Sequence, residues 1–277
     1  MSASAFICTA CGMQYAPSEG PPKSCPVCED ERQYVPPGGQ EWTTLEELSR
    51  SSSNAWRVLE PNLFEIVTTP AFAIGQRAQL LRTPEGNILW DCISLIDSAT
   101  IELIRSLGGI KAIAISHPHY YSCMVEWAHV FNVPIYLHAA DRAWIFRNDP
   151  AIALWDGESR ELLPGLTMIC CGGHFPGGIV LHWPGGADGR GALLSGDIVQ
   201  VVQDRKTVSF MRSFPNFIPM SAPAVERVVK ALEPFAFDHI HGAFPTRTIW
   251  KDGKRVLKAS AERYLAYIRG DGSAELR

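Results

Sequence analysis

Two histidines one residue apart, His117 and His119, follow the apolar run Ile113-Ala114-Ile115-Ser116. A short run of this kind reads as a buried strand. Side chains two positions apart on extended backbone share a face, so both imidazoles can address one atom. Pro118 supports the extended reading, because it biases His117 away from the helical region. The next segment, Cys123 to Phe131, lacks Gly and Pro and is expected to be a helix, with Ser122 as its N-cap. A strand that ends in paired imidazoles is half of a metal site. Taken alone, the pair is equally consistent with ordinary loop histidines.

A second set of candidate ligands lies near the start of the chain. Cys8-Thr-Ala-Cys11-Gly12 and Cys25-Pro26-Val27-Cys28 form two Cys-x-x-Cys pairs separated by thirteen residues. Each pair can form a tight knuckle with two thiolates facing one ion, with Gly12 permitting one turn and Pro26 stiffening the other. Four thiolates suit tetrahedral zinc or a single iron. So short a segment cannot bury a sufficient core alone, so the ion must supply its folding energy.

The elements that position these residues follow from pattern. Pro36-Pro37-Gly38-Gly39 is a break, and residues 37–62 read as a linker with a short threonine-capped helix around Leu45. Strands are expected from Leu63 onward. The order is strands first, then alternating strands and helices, which implies a mixed sheet with helices packed on it. In the second half, Leu166 to Cys171 leads into Gly172-Gly173-His174-Phe175-Pro176-Gly177. The strand Ala192 to Ser195 ends in Gly196-Asp197, and the strand from Phe237 ends in His241-Gly242. Each carries His or Asp immediately after an apolar strand.

Composition bounds the function classes. At 46% hydrophobic and 19% charged residues, 277 residues can build a substantial core. A net charge of -4 with no basic run argues against nucleic acid as a partner. No uninterrupted apolar stretch is long enough to span a membrane. Met1 runs within a few residues into the first cysteine pair, without a signal-peptide pattern. A cytoplasmic location is expected, and clustered cysteines in a reducing compartment favour a metal module over a disulfide framework.

The N-terminal cysteine pairs resemble zinc ribbons and the short rubredoxin-like modules. The remainder resembles the metallo-β-lactamase superfamily of hydrolases and oxidoreductases, through His117-Pro-His119-Tyr-Tyr121-Ser122, Gly173-His174-Phe-Pro-Gly177, Gly196-Asp197, His241-Gly242 and the early Asp91. The resemblance implies an α/β fold, a four-layer αββα sandwich with a small zinc-ribbon or rubredoxin-like module. The expected division is a module at 1–36, a linker at 37–62 and a metallo-β-lactamase-like domain at 63–277.

The resemblance also implies ligands. His117, His119 and His174 would hold one metal, Asp197 would bridge to a second, and His241 would serve that second metal. Tyr121 and Ser122 stand where the family has Asp and His ligands, so the second site lacks two of its ligands. The expectation is therefore a metal-dependent hydrolase using a metal-bound hydroxide at a mononuclear or altered dinuclear site. Asp197 would ligate or take a proton. Tyr121 would donate to a developing oxyanion or simply line the pocket. Zinc is expected in the cysteine module, with iron as alternative; zinc is expected at the histidines, with iron or manganese as alternatives. Two other readings stay open: a mononuclear non-haem iron oxidoreductase resembling the persulfide dioxygenases, and a catalytically inactive binding protein structured by metal. The partner is expected to be a small-molecule substrate, with no nucleic acid and no membrane, and homo-oligomerisation open.

His129, His138, His182 and His239 are expected to be structural or surface residues. Cys123, Cys170 and Cys171 are expected to be ordinary thiols, and 210–220 a lid or a plain apolar loop.

Overall fold

The computed structural model describes residues 3–270. Two compact units divide between Trp155 and Asp156.

The first unit is built on a seven-stranded sheet. In spatial order its strands are Ser53–Glu60, Leu63–Thr69, Ala78–Leu81, Ile88–Trp90, Ala112–Ala114, Ile135–His138 and Ile152–Trp155. The first four pair antiparallel and the last three are added in parallel. Ile88–Trp90 and Ala112–Ala114 are short, apolar and wholly buried, as strands covered on both faces must be. Because Ile88–Trp90 and Ala112–Ala114 run parallel, Asp91 and the Ser116-His117 segment emerge at the same sheet end.

Ser53–Glu60 corrects the linker reading. These residues form the edge strand of the sheet, paired along their length with Leu63–Thr69. Their side chains are mostly exposed or half-buried, so the segment carries the polar pattern of an edge rather than the apolar signature of a central strand. The expected short helix is present at Leu45–Ser51. Thr44 accepts from the Glu47 N–H, and the Glu47 carboxylate accepts from the Thr44 N–H in return.

The cysteine segment lies within this first unit. Strand Ile7–Cys8 pairs with Trp42–Thr43, and a four-residue helix, Pro26–Glu29, spans the second knuckle. Tyr15 stacks on Phe146 with ring centroids 5.4 Å apart, and Arg32 lies over the Trp144 ring.

The second unit carries a six-stranded sheet ordered Ser159–Leu163, Leu166–Cys170, Ile179–Trp183, Ala192–Gly196, His239–Gly242 and Thr248–Ile249. Its core packs Ile169, Val180, Leu193 and Ile240 of the sheet against Val225, Val228 and Leu232 of helix Ala222–Leu232. Leu257 and Ala261 of helix Gly253–Arg269 complete it. Each such apolar side chain contributes roughly 1.5–3 kcal/mol on burial. Ala192–Gly196 and His239–Gly242 are parallel neighbours, with Leu194 opposite His241 and Gly196 opposite Gly242. Leu166–Cys170 runs in the same direction two strands away. His174, Asp197 and His241 therefore emerge at one end of this sheet.

No helix among the described residues is long and apolar enough to cross a membrane.

Candidate metal centre

The cysteine cluster is fully assembled. Cys8 Sγ lies 3.5 Å from Cys28 Sγ, and Cys11 Sγ lies 3.6 Å from Cys25 Sγ. A tetrahedron with zinc–sulfur bonds of about 2.3 Å has edges of about 3.8 Å, so the spacing is that of a nearly formed ligand shell. All four sulfurs lie within 4.8 Å of one another. Among the described residues no cysteine is in a disulfide. The Tyr15 hydroxyl donates to Cys25 Sγ at 3.1 Å. Burial pushes the Tyr15 phenol well up, so it remains a donor. The hydrogen bond from Cys11, helped by those from Cys28 and Cys8, holds Cys25 far below the usual thiol range. Cys11, donating to Cys25, is pushed well above it. Four crowded thiols thus do not all ionise by themselves, and a bound cation would supply the missing charge.

The paired histidines arise differently from the expectation. The strand stops at Ala114. His117 is extended, with φ −170° and ψ 173°, but Pro118–Tyr120 forms a 3₁₀ turn that includes His119. The two rings are therefore not same-face neighbours on one strand; the turn brings them together, with centroids 5.2 Å apart at 66°. Proline is well suited to the first position of such a turn, because it lacks the N–H that would go unused there. Both imidazoles are buried.

Hydrogen bonds at Nδ1 orient three of the candidate rings, those of His117, His174 and His241. Ser116 Oγ lies 3.0 Å from His117 Nδ1. Ser116 is itself held by its N–H, which donates to Asp91 Oδ1 at 2.7 Å. Asp91, expected only as a strand-end residue, thus positions His117 through Ser116. The Tyr120 ring packs edge-on against His117 at 4.5 Å. In the second unit, His174 Nδ1 lies 3.1 Å from the carbonyl oxygens of both Met211 and Arg212. Carbonyls only accept, so Nδ1 carries the proton and the neutral ring offers Nε2. Phe175 and Phe214 pack edge-on against the same ring. His241 Nδ1 lies 3.4 Å from Thr248 Oγ1. Asp197 is buried in the turn after Gly196. Gly173, at φ +86°, sits so close to Met220 that a Cβ there would come within 2.8 Å of its terminal carbon.

Tyr121 is buried, and desolvation, reinforced by the charge of Asp141, pushes its phenol well above the usual range. That burial favours the protonated phenol over the phenolate. Ser122 is not the helix N-cap. The helix begins at Met124 with Cys123 in the capping position and no side-chain cap. Ser122 has φ +42°, its hydroxyl accepts from Gln76 Nε2 at 3.1 Å and donates to the Cys92 carbonyl at 3.4 Å.

His239 packs edge-on against Trp250 and His241 rather than lying as a plain surface residue. His129 pairs with Asp149 on the surface, and His138 accepts from the Ala140 N–H at 3.3 Å. His182 Nε2 donates to the Ala236 carbonyl at 2.7 Å. Burial pushes the Cys123 and Cys171 thiols well up. In segment 210–220, Phe210 is core, Phe214 meets His174 and Phe217 is exposed. Sequence reasoning missed Ser116, Tyr120 and the Met211 and Arg212 carbonyls; for Ser116, its place between the strand and His117 was the available signal.

No family model matches the chain. It is 46% identical over 269 residues to the uncharacterized protein YmaE of Bacillus subtilis (strain 168), covering 96% of this chain and 97% of that one. Solved structures share the fold at low identity. The DIM-1 metallo-β-lactamase matches with a TM-score of 0.59 at 14% identity, over 79% of this chain and 100% of its own. The metallo-β-lactamase SMB-1, solved with mercaptoacetic acid, matches at 0.51 and 19%, over 80% of this chain and 95% of its own. The chemotaxis sensor ODP, solved as a peroxy diiron species, matches at 0.52 and 17%, over 76% of this chain and 94% of its own. A cysteine cluster compatible with a zinc ribbon precedes this fold. The chain belongs to the same protein family as YmaE, and its fold is that of the metallo-β-lactamases.

Proposed function

We propose that the chain is a metal-dependent hydrolase of small molecules with one tightly held active-site ion. Its ligands are His117, His119 and His174, three buried imidazoles of a type that zinc takes readily. The observation that carries the reading is the clamping of His174 Nδ1 by two main-chain carbonyls. Together with Ser116 on His117 Nδ1, it is the outer support that a metal-ligating imidazole needs to hold its tautomer and orientation. When bound, the ion supplies Lewis acidity and lowers the pKa of a coordinated water toward about 7.

The protein's own groups do the rest. Asp197 ligates or takes the proton released on attack. Tyr121, kept neutral by burial, donates a hydrogen bond to the oxygen on which charge develops. His241, pinned through Nδ1, contacts substrate or a weakly held second ion. The cysteine cluster holds a separate structural zinc.

The test is turnover of ester, amide and phosphodiester substrates by zinc-loaded protein, with Asp197→Asn and His117→Ala alongside. His117→Ala should lose the ion and the activity. Asp197→Asn should lose about 10²–10⁴-fold in rate if Asp197 handles the proton. No turnover on any class by fully loaded protein would contradict the reading.

Iron redox chemistry is the second reading. His117, His174 and Asp197 can supply two imidazoles and a carboxylate, the donor set of mononuclear iron oxygenases. ODP, solved as a peroxy diiron species, shares the fold. Oxygen consumption by iron-loaded protein, absent from the zinc form, would favour it.

A further inference from the structure

The first cysteine knuckle is built directly against the loop that carries His117 and His119. The Ser94 hydroxyl donates to the Gly12 carbonyl at 2.9 Å. Gly12, one residue after the ligand Cys11, is at φ +80°. A Cβ on it would stand 2.7 Å from Ser94 Oγ and 3.6 Å from Ser122 Oγ. The Gln14 N–H donates to the Ser122 carbonyl at 3.3 Å. The Gln14 side chain is buried; its amide nitrogen donates to Glu126 Oε1 at 3.4 Å, and its amide oxygen accepts from Arg147. Arg147 also donates to Glu126 at 2.6 Å. Glu126 lies in the first turn of helix Met124–Phe131.

Ser122 is the centre of this contact. Its left-handed backbone is unfavourable for a residue other than Gly, so surrounding bonds must hold it there. Those bonds come from Gln14, Gln76 and Cys92. It is three residues from His119. The position where the resemblance places a second-metal ligand is occupied here by the residue on which the cysteine module rests.

We infer that the cysteine cluster is a metal-dependent brace for the histidine loop. The cluster's ion holds the 8–12 knuckle in the shape that presents Gly12 and Gln14, and these hold Ser122 and the start of helix Met124–Phe131. Loss of that ion, by chelation or by substitution of a cysteine, loosens residues 116–124 and weakens metal binding at the histidines. The last clause rests on His117 and His119 being ligands, as proposed above. The loosening of the loop does not.

The experiment uses the full-length chain and compares wild type, Cys11→Ser and Gln14→Ala. The readouts are hydrogen exchange over residues 116–131 and metal retained at each site after dialysis. Cobalt(II) substitution separates the sites, because thiolate ligation gives an intense near-ultraviolet charge-transfer band. Cys11→Ser should lose the thiolate-cobalt band, exchange faster over 116–124, and hold the histidine-site ion about tenfold or more weakly. Gln14→Ala keeps every cysteine, so it should keep the band yet exchange faster at the start of helix Met124–Phe131. Unchanged exchange in a folded Cys11→Ser that has lost its band would overturn the inference. If Cys11→Ser does not fold, unchanged exchange in Gln14→Ala overturns it. If wild type binds no metal at the histidines, the ligand reading fails while the exchange comparison still decides the brace.

Discussion

His174 Nδ1 and the Met211 carbonyl oxygen are 3.1 Å apart, although 37 residues separate them in the chain. With Arg212 contributing a second carbonyl at the same distance, the ring can offer only Nε2 to a metal. Ser116 holds the other secured ring, His117, from the adjacent position. Ser116→Ala should therefore leave the fold intact and weaken retention of the histidine-site ion by about 10–100-fold. Elemental analysis across a chelator titration reads this directly, and unchanged retention would show that Ser116 supports nothing.

Removal of one cysteine should act on a different ion. Cys25 sits 3.6 Å from Cys11 and receives the Tyr15 hydroxyl. If the cluster holds the proposed zinc, Cys25→Ser should cost it that ion and the residues around both knuckles their protection from proteolysis, because the ion would supply their folding energy. Zinc content before and after substitution, with limited proteolysis, checks both halves. An unchanged zinc content would contradict the four-thiolate site.

A buried ion pair gives a stability prediction independent of metals. Arg77 and Glu65 are both almost wholly buried and are 2.8 Å apart. Burial pushes the Arg77 guanidinium below its usual range, and the Glu65 carboxylate opposes that shift. Glu65→Gln removes the charge opposite Arg77 and should destabilise the protein by about 3–5 kcal/mol. Equilibrium denaturation measures this. A loss under about 1 kcal/mol would mean that other groups compensate the arginine.

Acid should also act through His182. Burial holds its imidazole below the ordinary value, and its Nε2 already donates to the Ala236 carbonyl. The unfolded chain then binds a proton that the folded chain resists, so stability falls as pH drops through about 6.5. His182→Gln should flatten that part of the stability–pH curve. A curve with the same slope would assign the titration to another group.

Much of this was legible in the sequence because it is local. The cysteine spacing and the threonine-capped helix at Leu45 need only neighbours, and so do the apolar strands ending in His174, Asp197 and His241. The misreadings have a common physical cause. Ser53–Glu60 is an edge strand, so burial did not write an apolar pattern into it. His117 and His119 suggested an extended pair, but a 3₁₀ turn also brings such rings together. Ser122 precedes a helix, as a cap would, but its geometry is set by Gln14 and Gln76, 108 and 46 residues away in the chain. Hydrogen bonds over such separations leave no periodic trace. The same separation hid the Met211 and Arg212 carbonyls from any reading of His174.

The central claim is that one ion is held at the histidines and another at the cysteines. The direct measurement is elemental analysis of extensively dialysed wild-type protein, joined to anomalous difference maps from its crystals. The account predicts one full-occupancy ion among Cys8, Cys11, Cys25 and Cys28, and one bound by His117, His119 and His174. With Tyr121 neutral and Ser122 engaged in hydrogen bonds, no second tight ion is expected beside them. A full-occupancy pair about 3.5–4 Å apart next to His117 would contradict the mononuclear reading, and density that avoids the histidines altogether would contradict the metal centre itself.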